Sequence, residues 1–145
     1  MKEIYTTIYS KDDIATVASR LKELLDNAAV MTFTGPLGAG KTTMVKELLK
    51  QSGVTDLITS PTFAYVNQYR NDKGTVYSHF DLYRIGTLDA FMAAGFDEYL
   101  FAPDCKALIE WPEPIMPLLT RDTYHVAIDY DGDPDKRIIR ISLPS

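Results

Sequence analysis

The chain has 145 residues, 46% of them hydrophobic and 24% charged, which is the size and composition of one globular domain. No apolar run approaches the ~18 residues that span a bilayer, the N-terminal segment lacks a secretory apolar core, and a single cysteine excludes an internal disulfide and a cysteine-rich metal site. The net charge of −5 disfavours autonomous binding to a nucleic-acid backbone, although a basic partner could still hold one. We therefore expect one domain over residues 1–145, no membrane association and a cytoplasmic location.

The first predicted elements are a strand and an amphipathic helix. Residues 3–9 are β-branched and aromatic, which favours a strand. Ser10 is a plausible N-cap, with Asp13 three positions later in a weak resemblance to a capping box. Apolar residues at helical spacing from Ile14 to Leu25 then predict a helix that ends near residues 26–27.

A phosphate-binding loop follows. Residues 30–34 are short, apolar and β-branched, which predicts a buried strand, and residues 35–42 (GPLGAGKT) match G-x-x-x-x-G-K-[ST] at every fixed position. Residues 41–50 carry apolar side chains at helical spacing and end near Gly53. Such a loop presents backbone N–H groups to phosphate oxygens at a helix N-terminus, so Lys41 would reach the β- and γ-phosphates and the Thr42 hydroxyl would bind Mg²⁺.

The next segment predicts an antiparallel hairpin. Ser60 and Pro61 indicate a turn before a strand over 63–69, residues 71–74 form a hairpin connection, and residues 75–84 form the partner strand. Alternation in that strand places His79, Asp81 and Tyr83 on a polar face, opposite Phe80 and Leu82.

The remaining chain completes an α/β pattern. Two short helices are predicted within 87–101, a buried strand over 106–110, one possible helical turn from Pro114, and strands over 123–130 and 137–142 around a hairpin at 131–134. Cys105, just before a buried strand, is predicted to be a small core residue. The fold class is therefore a single-domain α/β P-loop NTPase, with a mixed parallel and antiparallel sheet flanked by helices.

Hydrolysis or transfer needs groups beyond the loop. Ligands of open α/β sheets lie at the carboxyl ends of strands, so carboxylates there are the candidates. Glu110 ends a buried strand in the manner of a Walker-B element, and its alternative is a solvated glutamate beyond the strand. Asp81 could position water or act as a base, while His79 could orient it or be a hydrogen-bonded surface residue. Trp111, next to Glu110, is expected near the nucleotide or the core.

The loop that contains Ser60, Pro61, Thr62 and Phe63 follows the phosphate-loop helix, where loops that sense a γ-phosphate occur in this class of protein. Without its context the same segment is only a turn. A switch function and a structural turn are both compatible with these four residues.

Four elements together resemble the bacterial TsaE (YjeE) family, the small ATPase of tRNA threonylcarbamoyladenosine biosynthesis. They are the phosphate loop 35–43, the loop 60–63, the motif His-x-Asp-x-Tyr-Arg at 79–84 and the motif Leu-Ile-Glu-Trp-Pro-Glu at 108–113. The resemblance covers nearly the whole chain. It implies an ATPase that works with TsaD-like and TsaB-like partners, which transfer a threonylcarbamoyl group to the adenosine beside the anticodon of tRNAs reading ANN codons. The ATPase would reset that complex, and the partners would hold the tRNA.

The resemblance also assigns residues by matched position. ATP and Mg²⁺ are the implied ligands, with Thr42 and Glu110 holding the metal, Asp81 and Lys41 serving hydrolysis and 60–63 forming the switch. The start of the first helix around Ser10 and Arg137 would contact the nucleotide. The phosphate-binding residues would be Gly38, Ala39, Gly40, Lys41, Thr42 and Thr43.

Two other functions use the same loop. A small-molecule kinase usually needs an arginine-rich lid, whereas the six arginines of this chain are scattered along it. A nucleotide-binding regulator with little turnover is the second alternative. The absence of an Asn-Lys-x-Asp motif, which reads guanine, favours ATP.

Overall fold

The computed structural model describes residues 1–61, 64–119 and 122–144, which form seven strands and three α-helices. The strands are β1 (Lys2–Ser10), β2 (Val30–Thr34), β3 (Val66–Arg70), β4 (Val76–Asp81), β5 (Cys105–Glu110), β6 (Thr123–Tyr130) and β7 (Lys136–Leu143). The α-helices are α1 (Ile14–Leu25), α2 (Lys41–Gln51) and α3 (Leu88–Ala93), and 3₁₀ turns occupy Lys11–Asp13, Phe96–Tyr99 and Glu113–Leu118.

All seven strands form one mixed sheet in the order β1-β7-β6-β2-β5-β4-β3. The four central strands β6, β2, β5 and β4 are parallel to one another, whereas β1–β7, β6–β7 and β3–β4 pair antiparallel. The predicted mixed sheet is therefore confirmed. Because β2, β4 and β5 run in the same direction, their carboxyl ends meet at one edge of the sheet.

The sheet separates two apolar cores. On one face, α1 and α2 cover the central strands, and Leu21, Leu48 and Phe33 are fully buried there. On the other face, the short α3 inserts Phe91 against Phe80, with ring centroids 5.9 Å apart. Strands covered on both faces lose their polar alternation, which explains the near-continuous apolar sequences of β2 and β5.

Several predicted boundaries need correction. The strand expected over 63–69 begins at Val66, and the strand expected over 75–84 ends at Asp81, so Tyr83 lies beyond it. Ser10 does not cap a backbone N–H group, because its hydroxyl bonds the Asp13 carboxylate at 3.1 Å and α1 starts only after a 3₁₀ turn. Cys105 is buried as predicted, within β5.

Among the described residues, no helix has both the length and the apolar character needed to cross a lipid bilayer.

Candidate nucleotide site

The phosphate loop turns sharply between β2 and α2, and two of its glycines are required by geometry. Gly35 has φ +141°, and a Cβ atom there would lie 2.0 Å from the backbone oxygen of Ile128 on β6. Gly40 has φ +104° and immediately precedes α2. Only glycine adopts such angles without strain, so the loop can press against β6 and still deliver the first N–H groups of α2 to one point. A helix N-terminus of this kind attracts anions.

Lys41 lies folded inside the loop. Its ammonium group donates hydrogen bonds to the carbonyl oxygens of Gly35 and Pro36 and lies 4.1 Å from the centre of the Trp111 ring. Burial lowers the pKa of Lys41, and the carboxylates of Glu110, Glu113 and Asp81 partly oppose that shift. Because the two carbonyl groups and the aromatic ring carry no net charge, a desolvated ammonium can exchange them for charged phosphate oxygens.

Glu110 is buried, not solvated, and joins three elements. The residue is 2% exposed, so the alternative of a solvated glutamate is wrong. One oxygen, Oε1, accepts a hydrogen bond of 2.7 Å from the Thr42 hydroxyl on α2, and the other, Oε2, lies 2.6 Å from Nε2 of His79 on β4. Burying a carboxylate at the end of a strand costs free energy unless a cation, a metal or a hydrogen-bond donor pairs with it. Here Thr42 on α2 and His79 on β4 supply the partners.

Asp81 ends β4 directly beside Glu110. The two residues are register partners in the parallel pair β4–β5, so their side chains leave the same face of the sheet. The Asp81 backbone N–H donates to Tyr65, and its Oδ1 accepts the Tyr83 N–H at 3.1 Å. These bonds fix the half-buried carboxylate at the mouth of the site.

Lys41, Thr42, Asp81, Glu110 and Ser60 line one cavity of about 300 Å³. Its remaining lining residues are Leu37, Gly38, Gly40, Thr43 and Trp111. The structure thus brings together residues from the phosphate loop, β4, β5 and the loop that follows α2, all of which the sequence placed at strand or helix ends. Trp111 joins them at φ +56°, an angle that costs a bulky residue about 1–3 kcal/mol and is typical of functional sites.

Half of the predicted switch loop can be placed. Ser60 lines the cavity, and the carbonyl oxygen of Pro61 accepts a hydrogen bond of 2.7 Å from the Tyr65 backbone. Thr62 and Phe63 lie outside the described residues. Tyr65 has φ +66°, so the chain that leaves this loop is also held in an unfavourable conformation. Its role as a switch stays a prediction.

A second cavity, of about 260 Å³, adjoins the phosphate loop on its other side and contains the two loosely assigned residues, Ser10 and Arg137. Gly38, Gly40 and Thr43 line both cavities. Its other lining residues are Tyr9, Lys11, Ile14, Ala39, Pro134 and Asp135. The N-terminal segment and the β6–β7 hairpin are far apart in sequence and meet only through the sheet.

The β6–β7 hairpin makes two hydrogen bonds to the phosphate loop. Arg137 Nε donates to the carbonyl oxygen of Ala39 at 3.2 Å, and the Tyr130 hydroxyl donates to the carbonyl oxygen of Leu37 at 2.8 Å. The Arg137 guanidinium also lies 4.6 Å from the centre of the Tyr130 ring. Sequence reasoning did not identify Tyr130, because an exposed tyrosine at a strand end has no distinguishing pattern.

The prediction of a polar face on β4 is wrong for His79. Its side chain is completely buried, because α2 and the phosphate loop cover the face that was expected to be solvated. Its Nε2 lies 2.6 Å from Oε2 of Glu110. Tyr83 is 53% exposed and its ring lies 4.8 Å from that of Trp111.

The donor set near Thr42 fits Mg²⁺. A hydroxyl and a carboxylate oxygen, 2.7 Å apart and open to the cavity of Lys41, are the hard oxygen ligands this ion uses beside substrate phosphates. No cluster of three or more His, Cys, Asp or Glu side chains suited to a metal occurs in the described residues.

Comparison with known proteins agrees with this geometry. The family model described as threonylcarbamoyl adenosine biosynthesis protein TsaE matches residues 8–139, which include the loop, Asp81 and Glu110. The tRNA threonylcarbamoyladenosine biosynthesis protein TsaE of Bacillus subtilis is 30% identical over 138 residues, covering 95% of this chain and 85% of the relative. The protein of the same name from Aquifex aeolicus is 36% identical over 115 residues, 78% of each chain.

A solved structure extends the match to the fold. Bacillus subtilis YdiB superposes with a TM-score of 0.75 at 27% sequence identity and covers 99% of this chain and 87% of its own. The family match spans both cavities and all seven strands in whole or in part. The chain therefore belongs to the TsaE family of threonylcarbamoyl adenosine biosynthesis proteins.

Proposed function

We propose that this protein binds ATP with Mg²⁺ and hydrolyses it to drive the cycle of a tRNA-modifying complex. The TsaD-like and TsaB-like partners would transfer the threonylcarbamoyl group to the adenosine beside the anticodon of tRNAs reading ANN codons. The observation that carries the proposal is the cavity in which Lys41, the Thr42–Glu110 pair and Asp81 meet. Membership of the TsaE family supports the role in threonylcarbamoyladenosine biosynthesis.

Each side chain of that cavity has a role suited to its position. Lys41 would leave the carbonyl oxygens of Gly35 and Pro36 and bind the β- and γ-phosphates. Its desolvated ammonium is attracted more strongly to charged phosphate oxygens than to neutral carbonyl oxygens. Thr42 and Glu110 would hold Mg²⁺, which supplies positive charge to the phosphate oxygens. Asp81, anchored at the cavity mouth, would orient the attacking water or accept its proton.

The adjoining cavity would take the nucleoside. It is continuous with the phosphate loop through Gly38 and Gly40, so a nucleotide whose phosphates bind at α2 would extend into it. Ser10 and Arg137 would contact this part of the molecule. The resemblance and the absence of a guanine-reading motif favour adenine.

The composition of the site favours hydrolysis that a partner completes. Among the described residues, the lining of the Lys41 cavity contains no arginine that could stabilise a transferring phosphoryl group. A kinase would need such groups on its own lid. An ATPase can receive them from a partner, and the acidic net charge of −5 likewise suits a subunit that leaves the tRNA to other proteins.

The test is an ATPase assay of the purified protein alone and with the TsaD-like protein, the TsaB-like protein and tRNA. We expect slow hydrolysis alone and faster hydrolysis in the assembled mixture, with Lys41→Ala as the inactive control. Transfer of the γ-phosphoryl group to a small molecule without stimulation by the partners would establish the kinase alternative. Tight ATP binding without turnover under any of these conditions would establish the regulator.

A further inference from the structure

His79 is a buried polar residue, and the side chain that it bonds, Glu110, belongs to the proposed metal site. It lies on β4, two residues before Asp81, and shares a sheet face with Glu110 because Asp81 and Glu110 are register partners. Its side chain is completely buried, and its Nε2 lies 2.6 Å from Glu110 Oε2. A histidine so placed is either a passive filler of the core or a group that acts on Glu110.

The hydrogen-bond pattern identifies the direction of this contact. A carboxylate only accepts hydrogen bonds, so the ring proton lies on Nε2 and His79 is the donor. The other ring nitrogen, Nδ1, is buried and has no hydrogen-bond partner among the described residues. In a neutral ring with its proton on Nε2, that nitrogen is an acceptor without a donor, which costs less than a buried N–H group without an acceptor.

The two oxygens of Glu110 are thereby assigned different partners. His79 holds Oε2, and the Thr42 hydroxyl meets Oε1 at 2.7 Å. The last torsion of a glutamate side chain is soft, so a carboxylate held at one oxygen only would rotate. With Oε2 fixed from β4, Oε1 remains beside the Thr42 hydroxyl, at the edge of the cavity that contains Lys41.

We propose that His79 is a positioning residue for the metal site, because its Nε2–H group holds Glu110 so that Oε1 and the Thr42 hydroxyl form a preorganised pair of Mg²⁺ ligands. This role depends on the proposed use of Mg²⁺ and ATP. Groups that orient a metal ligand typically change metal affinity about 10–100-fold when they are removed.

The test measures metal affinity rather than turnover. The binding of a fluorescent, non-hydrolysable ATP analogue is followed as Mg²⁺ is added to wild type, His79→Leu and His79→Gln. Leucine removes the donor at similar volume, whereas the glutamine amide can still donate to Glu110. We expect the half-saturating Mg²⁺ concentration to rise about 10–100-fold in His79→Leu and to stay within about 3-fold of wild type in His79→Gln.

The chain offers a matched control in its other histidine. His125 is also buried, on β6, and bonds the Thr32 hydroxyl at 2.7 Å through Nδ1. His125→Leu therefore removes a buried histidine without touching Glu110, and we expect its Mg²⁺ dependence to match wild type. Analogue binding in EDTA should be equal in all variants. Equal losses in the two His79 variants, or an unchanged value in His79→Leu, would overturn the proposal.

A measurement on wild type keeps the proposal testable if His79→Leu does not fold. Long-range ¹H–¹⁵N NMR should show His79 protonated at Nε2, with a signal that moves when Mg²⁺ is added to the nucleotide-bound protein. Protonation at Nδ1, or an unmoved signal, would refute the role of His79 alone. Failure of wild type to bind the analogue with Mg²⁺ would refute the proposed function together with it.

Discussion

Replacing Glu110 with alanine is expected to destabilise the protein by about 2–4 kcal/mol. The substitution leaves two hydrogen-bond donors without their acceptor, Thr42 Oγ1 at 2.7 Å and His79 Nε2 at 2.6 Å. A buried donor that loses its partner costs about 1–3 kcal/mol, and His79 incurs most of this because it is completely buried. Thr42 contributes less, since it borders a cavity that water can enter.

Glutamine at the same position separates stability from function. Its amide oxygen can still accept from His79 and its amide nitrogen can donate to the Thr42 hydroxyl, so the free energy of unfolding should stay within about 1 kcal/mol of wild type. That amide N–H group would face the proposed position of the metal, however. Because loss of a group that only orients a ligand costs about 10–100-fold, loss of the ligand itself should lower ATP turnover by about 100-fold or more.

Urea unfolding followed by circular dichroism measures the free energy of unfolding of each variant, and ATPase assays with the partners measure its ATP turnover. Circular dichroism is preferred to fluorescence because the single tryptophan, Trp111, adjoins the substituted residue. An alanine variant within about 0.5 kcal/mol of wild type would refute the buried bridge, since surface substitutions alone have effects of that size. Wild-type turnover in the glutamine variant would remove Glu110 from the metal site.

Three further outcomes are expected. Asp81→Ala should abolish ATP turnover in the partner assay but largely spare nucleotide binding, because Asp81 lies at the cavity mouth; lost binding would show a structural role instead. Gly35→Ala should cost more than about 3 kcal/mol in urea unfolding, since its Cβ would lie 2.0 Å from a backbone oxygen at a positive φ, whereas Gly86→Ala, with nothing within 4 Å, should cost less than about 0.5. Burial lowers the pKa of His125 below its usual 6.5, so below about pH 7 the unfolded state binds more protons than the folded state. The free energy of unfolding should therefore decrease as the pH falls through this range, and it should decrease less steeply in His125→Asn. Equal slopes in the two proteins would refute this.

Local sequence determined the elements and the loop chemistry. The apolar runs of β2 and β5, the glycine-rich turn and the helical spacing of α2 follow from steric and solvation rules that act within a few residues. The sequence also predicted Lys41, Thr42, Asp81 and Glu110 as one group, because ligands of open α/β sheets bind at the carboxyl ends of the strands. The structure places all four around a single cavity.

Other features depended on which surfaces the tertiary structure covers. Alternation along β4 placed His79 on a polar face, but α2 and the phosphate loop bury that face, so the residue became the partner of Glu110. Ser10 and Arg137 belong to opposite ends of the chain and line one cavity only because β1 and β7 pair. Tyr130 ends β6 and reaches the phosphate loop because β6 pairs with β2, the strand that precedes the loop.

The sequence by itself thus predicted a phosphate-binding loop at the start of α2, since such a loop needs only local backbone geometry and one lysine. The tertiary structure decided how Glu110, the proposed metal ligand, is held and where the nucleoside of the proposed nucleotide would lie. Both depend on contacts between residues more than 30 positions apart, such as His79 with Glu110 and Arg137 with Ala39. Pairings at that distance are set by the order of strands in the sheet, which no local pattern specifies.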